Sequence, residues 1–212
     1  NIDKNLEFVS KKMGLSKKKL YLMFQTHSNK VIIINNKNKN SKRFFSDAVI
    51  TKLTDIALGV VTADCVPILI YDSRNKIIGC VHAGWKGALS GIVENSIKQF
   101  KKLNKNNNLF ACIGPCIGVR SYEVDIKFYK KFISRLKKNK IYFINKNKNK
   151  KLFNIRKYVK DKLIKLGVKV DHVNFDTFRE KNRFFSYRRS QKQGDVDYGR
   201  CISVISMTKF SQ

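Results

Sequence analysis

Short apolar runs separated by brief polar turns dominate the chain as far as Ala83. LYLMF (20–24) and VIII (31–34) read as strands on either side of the polar turn QTHSNK. DAVIT (47–51), ALGVVTA (57–63), PILIYD (67–72) and KIIGCVH (76–82) follow, rich in Val and Ile and joined by turns as short as DSRN. That spacing suits an antiparallel or mixed sheet better than a regular alternation of strand and helix. From Lys86 the period changes. Ala88, Ile92, Val93, Ile97 and Phe100 recur at three and four, which predicts one amphipathic helix. LFACIG (109–114) returns to strand, and 124–136 and 152–166 again carry helical spacing, the latter closing at Gly167. VKVDHVNF (168–175) and CISVISM (201–207) predict late strands. The expected fold is α+β: a single domain over 1–212, mixed β-sheets flanked by helices, with no internal repeat and no linker. The opening NIDKNLEFVSKKMG reads as a helix entered partway through a longer protein.

The 212 residues are 42% hydrophobic, enough for a core, and no apolar run reaches the roughly 18 residues a bilayer span needs. A net charge of +30 raises the question of nucleic acid. The charge is distributed against a specific reader: NNKNKN (35–40), NKNNN (104–108) and NKNKNKK (145–151) are loop-like and lack interleaved aromatics. A general attraction for anions such as phosphate is the better expectation. Five cysteines, an odd number, without a secretion signal lead to the expectation of a reducing, cytoplasmic location.

Candidate chemistry collects at strand ends. His27 follows an apolar strand, Cys65 lies in TADC just before Pro67, and His82 is followed by AGWKG. Two imidazoles and a thiolate suit a catalytic zinc, which takes three protein ligands and keeps a fourth position open. The same residues leave two rivals. A Cys65–His82 pair describes a thiol hydrolase, assisted by Asp64 or Gln25. Two His and one Cys also describe a blue-copper site, with Met23 as the nearest axial candidate. A multicopper cluster needs many imidazoles, and the chain has three in all. His172, alone on a predicted strand, reads as structural or merely exposed.

QTHS, TADCVPIL, HAGWKG, IGPCIG followed by SYEV, and FFSYRR, taken in order, closely resemble the laccase-domain family, long labelled multicopper polyphenol oxidoreductases. The resemblance runs from about Phe24 to the last strand. It implies a fold similar to that of the family and of the cytotoxic necrotizing factor toxin catalytic domain. It also implies a zinc-dependent purine nucleoside phosphorylase acting on adenosine, inosine or methylthioadenosine, with adenosine deaminase activity; substrate and phosphate are the expected partners.

By motif, His27, Cys65 and His82 become the zinc ligands, with copper the lesser alternative. Gln25, Asp64, Glu123 and Arg188 become candidate catalytic residues. Lys86, Arg188 and Cys116 become candidates for substrate and phosphate binding. Bland readings stand beside these: Asp64 as a loop anchor, Glu123 as a helix cap, Cys116 as a small buried hydrophobe, Lys86 as a solvated cation. Other readings of the resemblance are amide-bond editing of cell-wall precursors through Cys65 and His82 and a copper polyphenol oxidase; apart from the resemblance, the charge leaves a basic anion- or nucleic-acid-binding protein as the non-enzyme rival. The family's N-terminal segment, with its Arg and GGxS-like turn, is absent from this sequence, and Asp176-Thr177 stands where many relatives have Cys-Thr.

Overall fold

A computed structural model describes residues 2–41 and 44–207. Its centre is a six-stranded mixed sheet. The strands are β2 (Val31–Ile34), β4 (Ala48–Thr51), β6 (Val66–Asp72), β7 (Ile77–Ala83), β8 (Leu109–Ile113) and β12 (Lys169–His172), in the order β12-β8-β6-β7-β4-β2. A four-stranded sheet packs on one face: β1 (Leu20–Phe24), β3 (Phe44–Phe45), β5 (Ile56–Thr62) and β13 (Cys201–Met207), in the order β13-β5-β1-β3. Met23, Val49, Leu58, Val60, Ile78 and Cys80 fill the space between the sheets. The opposite face of the large sheet lies under α3 (Ile92–Leu103) and α5 (Ile155–Lys165). There Ile50, Ile68, Val81, Ile97, Phe100 and Val159 form the main core. The alternation is visible within β4, where Val49 faces the second sheet and Ile50 faces the helices. A sheet covered on both sides reads as continuous apolar runs, which is why β4 and β7 are buried at every position. The result is a single α+β domain of mixed sheets flanked by helices.

Three features depart from the expected elements. The helix expected from Lys86 is two helices, α2 (Trp85–Ser90) and α3, broken at Gly91, whose φ of 100° lies in the left-handed region. The helix expected at 124–136 starts two residues later as α4 (Ile126–Arg135), after the short strand β9 (Glu123–Asp125). The start of 152–166 is likewise strand, β11 (Lys150–Phe153), ahead of α5. With β10 (Phe143–Asn145), β9 and β11 make a third sheet, ordered β10-β11-β9. Its apolar side packs Phe143 and Phe153 on Phe132 of α4 and Tyr158 of α5. The remaining helices are α1 (Ile2–Lys12) and α6 (Tyr187–Gln193).

The asparagine-rich turns are not mere filler. Asp72 is fully buried at the far end of the sheets, and its carboxylate accepts from Asn75 Nδ2 (2.7 Å), Asn107 Nδ2 (2.7 Å) and Asn108 N (3.1 Å). Those bonds stabilise the ionised form of a buried carboxylate, which would otherwise be costly there.

Candidate metal centre and its cavity

Three strand ends meet at one point. The ligand atoms of His27, Cys65 and His82 lie within 4.8 Å of one another, with Cys65 Sγ 3.8 Å from His27 Nε2. The two imidazoles stand edge to face, their centroids 4.7 Å apart. His27 sits at φ 59°, an uncommon conformation for a residue with a side chain, which lifts its ring off the end of β1 toward the other two. Cys65 precedes β6, and Asp64 beside it is also at positive φ, 84°. His82 comes from inside β7 and is almost entirely buried.

One carboxylate holds two of these ligands. Asp47 is fully buried. Its Oδ1 accepts from His82 Nδ1 (2.8 Å) and His27 N (3.0 Å), and its Oδ2 accepts from Ser28 N and Ser28 Oγ (both 2.7 Å) and Thr26 N (3.2 Å). Burial opposes its ionisation, but the hydrogen bonds from His82 and Ser28 outweigh that and hold the carboxyl well below the usual range. A carboxylate accepting from Nδ1 fixes the tautomer that leaves the His82 Nε2 lone pair free for a metal. The backbone repeats the link, since His82 N donates to Asp47 O at 2.7 Å.

The donors fit a metal in two further respects. Burial and the neighbouring His82 lower the pKa of His27, which keeps its ring neutral as a ligand must be. Gly84 leaves room for the set: a Cβ there would lie 2.7 Å from His27 Cδ2 and 3.1 Å from Cys65 Sγ. Two imidazoles and one thiol at this spacing match the borderline-soft donors of a zinc site. Among the described residues this is the one cluster of three or more such side chains. His172 is elsewhere, on β12, with Lys160 Nζ 3.3 Å from its Nδ1.

The cluster lies in the wall of a cavity of about 740 Å³ that is also lined by Gln25, Trp85, Lys86, Tyr187, Tyr198 and Arg200. Lys86 therefore lines the same cavity as His27, Cys65 and His82. The Gln25 amide is spent on the backbone of β5, donating to Val61 O (2.8 Å) and accepting from Val61 N (3.0 Å), although the residue lines the cavity. Asp64 is a loop anchor. It accepts from Thr177 Oγ1 (2.7 Å), Ser186 Oγ (2.9 Å) and Arg188 N (2.6 Å), which ties the Cys65 loop to the start of α6.

The other expected residues are not brought to the cavity lining. Glu123 pairs with Lys146 and, at 3.6 Å, with Lys150; the Lys146 hydrogen bond lowers its pKa. The Arg188 guanidinium donates to Glu123 O (2.7 Å) and lies over the Tyr122 ring at 5.3 Å. Cys116 is fully buried, its Sγ 3.4 Å from Arg156 Nε. Arg189 is also structural, donating to Thr177 O and Phe178 O. Asp176 accepts from Gly118 N (3.0 Å) and Ser121 Oγ (2.6 Å).

Sequence reasoning missed Asp47, Arg200 and the tyrosine pair. Asp47 was findable only through its register: Ala48 pairs with Val81, which sets the two preceding and following positions, Asp47 and His82, side by side.

The family model for "multi-copper polyphenol oxidoreductase laccase" matches residues 1–208. A purine nucleoside phosphorylase of Rickettsia prowazekii is 38% identical over 174 residues, covering 81% of this chain and 71% of that protein. Another from Haemophilus influenzae is 33% identical over 204 residues, covering 95% and 79%. Among solved structures, the Bacillus licheniformis hypothetical protein YfiH superposes with a TM-score of 0.87 at 24% identity, covering 97% of this chain and 80% of that one. A Neisseria meningitidis protein, NMB0706, superposes with a TM-score of 0.83 at 27% identity, also covering 97% and 80%. The chain belongs to the multi-copper polyphenol oxidoreductase laccase family, and its His/Cys/His cluster sits within a fold that it shares with both solved structures.

Proposed function

We propose that this chain is a zinc-dependent purine nucleoside phosphorylase that also deaminates adenosine. One observation carries the reading: a carboxylate-oriented His/Cys/His donor set opens into a cavity that presents two cations, Lys86 and Arg200. The names of its relatives support the substrate class. A zinc ion held by His27, Cys65 and His82 supplies a Lewis acid, able to polarise a substrate oxygen and acidify water.

The chain's own residues do the rest. Asp47 keeps His82 in the ligating tautomer. Lys86 and Arg200 bind phosphate and place an oxygen against the ribose anomeric carbon, Arg200 taking the part that the sequence suggested for Arg188. As the new C–O bond forms, the bond to the base breaks, its electron pair leaves with the purine ring nitrogen, and the products are base and ribose 1-phosphate. In deamination, water replaces the amino group on the purine and ammonia leaves. Adenosine, inosine and methylthioadenosine are the proposed nucleosides.

A thiol hydrolase, including an amidase acting on cell-wall precursors, is disfavoured by the Cys65 environment. Burial and the Asp64 charge push its thiol up to about 12. A multicopper oxidase is disfavoured by donor count, since one of three histidines is remote. Nothing in the cavity suggests a nucleic-acid track, and no helix among the described residues is long and apolar enough to cross a membrane. All five cysteines are free, which supports the proposal of a reducing, cytoplasmic setting.

The test is to incubate zinc-loaded full-length protein with adenosine, with and without phosphate, and identify the products. Adenine or hypoxanthine with ribose 1-phosphate, formed only with phosphate, supports phosphorolysis; inosine formed in either case supports deamination. No turnover overturns the reading.

A further inference from the structure

The cavity carries aromatic surface that the metal chemistry does not use. Tyr187 is 46% exposed, and its ring centroid lies 5.1 Å from that of Tyr198. On Tyr198 the Arg200 guanidinium lies 4.4 Å from the ring centroid, held by a 3.0 Å bond from Nη1 to Tyr198 O. All three side chains line the same cavity as His27, Cys65 and His82. Tyr198 is half-buried behind Tyr187, so Tyr187 is an exposed ring backed by a second ring in a concave site, surface kept for contact.

Tyr187 is also held in fixed relation to the metal ligands. Its two sequence neighbours, Ser186 and Arg188, both donate to Asp64 Oδ2, at 2.9 and 2.6 Å. Asp64 adjoins Cys65, so the backbone at Tyr187 is tied through one carboxylate to the loop that presents the thiol. Ser186 Oγ also caps α6 by accepting from Arg189 N at 3.1 Å. A ring on a capped helix start loses little freedom when a ligand stacks on it.

We infer that Tyr187 and Tyr198 form the nucleobase subsite: a planar purine ring stacks on Tyr187, with Tyr198 and its Arg200 lid backing the wall. The inference deepens the nucleoside reading and rests on it for the identity of the base. It assigns the base and the phosphate to different chemistry, the base to the tyrosine pair and the anion to Lys86 and the outer face of Arg200. It also makes the tyrosines base-binding residues that do not discriminate between one purine and another, because every base offers a π face.

Trp85, the single tryptophan, lines the cavity and reports occupancy by its fluorescence. The experiment titrates the zinc-loaded full chain with adenine alone, then with hypoxanthine alone, and repeats both for Tyr187→Phe, Tyr187→Leu and Tyr198→Ala. Stacking predicts that the Phe variant binds within about threefold of the parent, while the Leu and Ala variants lose about ten- to a hundredfold for both bases. Zinc content and unfolding midpoint are measured on each variant, so that lost binding is read only from folded, metal-loaded protein. Adenine binding in Tyr187→Leu and Tyr198→Ala equal to the parent's overturns the subsite, as does equal loss in Tyr187→Leu and Tyr187→Phe. The two readings fail separately: base binding without turnover of adenosine overturns the phosphorylase and leaves the subsite, whereas turnover with no effect of the tyrosine variants does the reverse.

Discussion

Replacing Asp47 by Asn should weaken the fold and the metal site together, because one side chain serves both. The two carboxylate oxygens of Asp47 divide their work. Oδ1 accepts from His82 Nδ1 and His27 N, and Oδ2 accepts from Thr26 N, Ser28 N and Ser28 Oγ. An amide keeps only one oxygen. If that oxygen stays with His82, the new NH₂ faces the two backbone N–H groups of Thr26 and Ser28; if it turns, the NH₂ faces His82 Nδ1 and His27 N. Either way at least two donors turned toward the buried Asp47 lose their acceptor, at up to about 1–3 kcal/mol each where water cannot replace it, so the expected loss reaches about 2–6 kcal/mol. That is a large share of the roughly 5–15 kcal/mol of a typical domain. Urea unfolding of metal-free protein, followed through Trp85, measures it.

Metal affinity, measured by competition with a chromophoric chelator, should fall about 10–100-fold, the usual effect of losing the carboxylate behind a ligating histidine. The pH dependence has a definite sign. The Asp47 carboxyl is depressed in the folded state, so its contribution is complete above the ordinary carboxylate pKa of about 3.9 and is lost as pH falls toward its folded value. The stability gap between parent and variant should therefore narrow in acid. An Asn variant within about 0.5 kcal/mol of the parent, with undiminished metal affinity, would refute the reasoning.

The remaining predictions concern the same centre. Gly84→Ala keeps a φ of −69° that alanine accepts, but its methyl would sit 2.7 Å from His27 Cδ2; zinc affinity should drop by about tenfold or more while the unfolding midpoint moves by only a few degrees, and chelator competition with a thermal melt checks both. The Cys65 thiol, pushed up to about 12, must lose its proton to bind metal, whereas His27 is already neutral above its ordinary pKa of about 6.5. Zinc affinity of the apoprotein should accordingly rise about tenfold per pH unit between about pH 7 and 9, with one proton released per ion; a flat profile in buffer-corrected calorimetry contradicts this. Asp64→Ala strands Thr177 Oγ1, Ser186 Oγ and Arg188 N, and should cost about 2–6 kcal/mol in urea unfolding, since two buried hydroxyls and one half-buried amide lose their acceptor.

The sheets were legible because their physics is local. β4 and β7 are buried on both faces, so their sequences are unbroken apolar runs bounded by turns. The break at Gly91 was hidden because the apolar spacing continues on one face across it, from Ala88 to Ile92 and Val93. The third sheet was lost in lysine- and asparagine-rich sequence, where β10 and β11 carry too few apolar positions to show a period. That His27, Cys65 and His82 come together was legible from residue type and strand-end position, supported by resemblance.

Their support was not legible. Asp47 reads as an ordinary first residue of the predicted strand DAVIT, and only the pairing of β4 with β7 brings it to His82. The Arg188 expectation shows the converse: a motif fixes which residue is present, but here the side chain is committed to Glu123 O and Tyr122, and the cavity receives Arg200 from the approach to β13.

X-ray absorption at the zinc edge of metal-loaded protein tests the central claim most directly. The account predicts one zinc per chain with one sulfur neighbour at about 2.3 Å and two imidazole nitrogens at about 2.0–2.1 Å, the remaining position filled by a light atom. The sulfur shell should vanish in Cys65→Ser. A spectrum without sulfur, or one unchanged by that substitution, would contradict it.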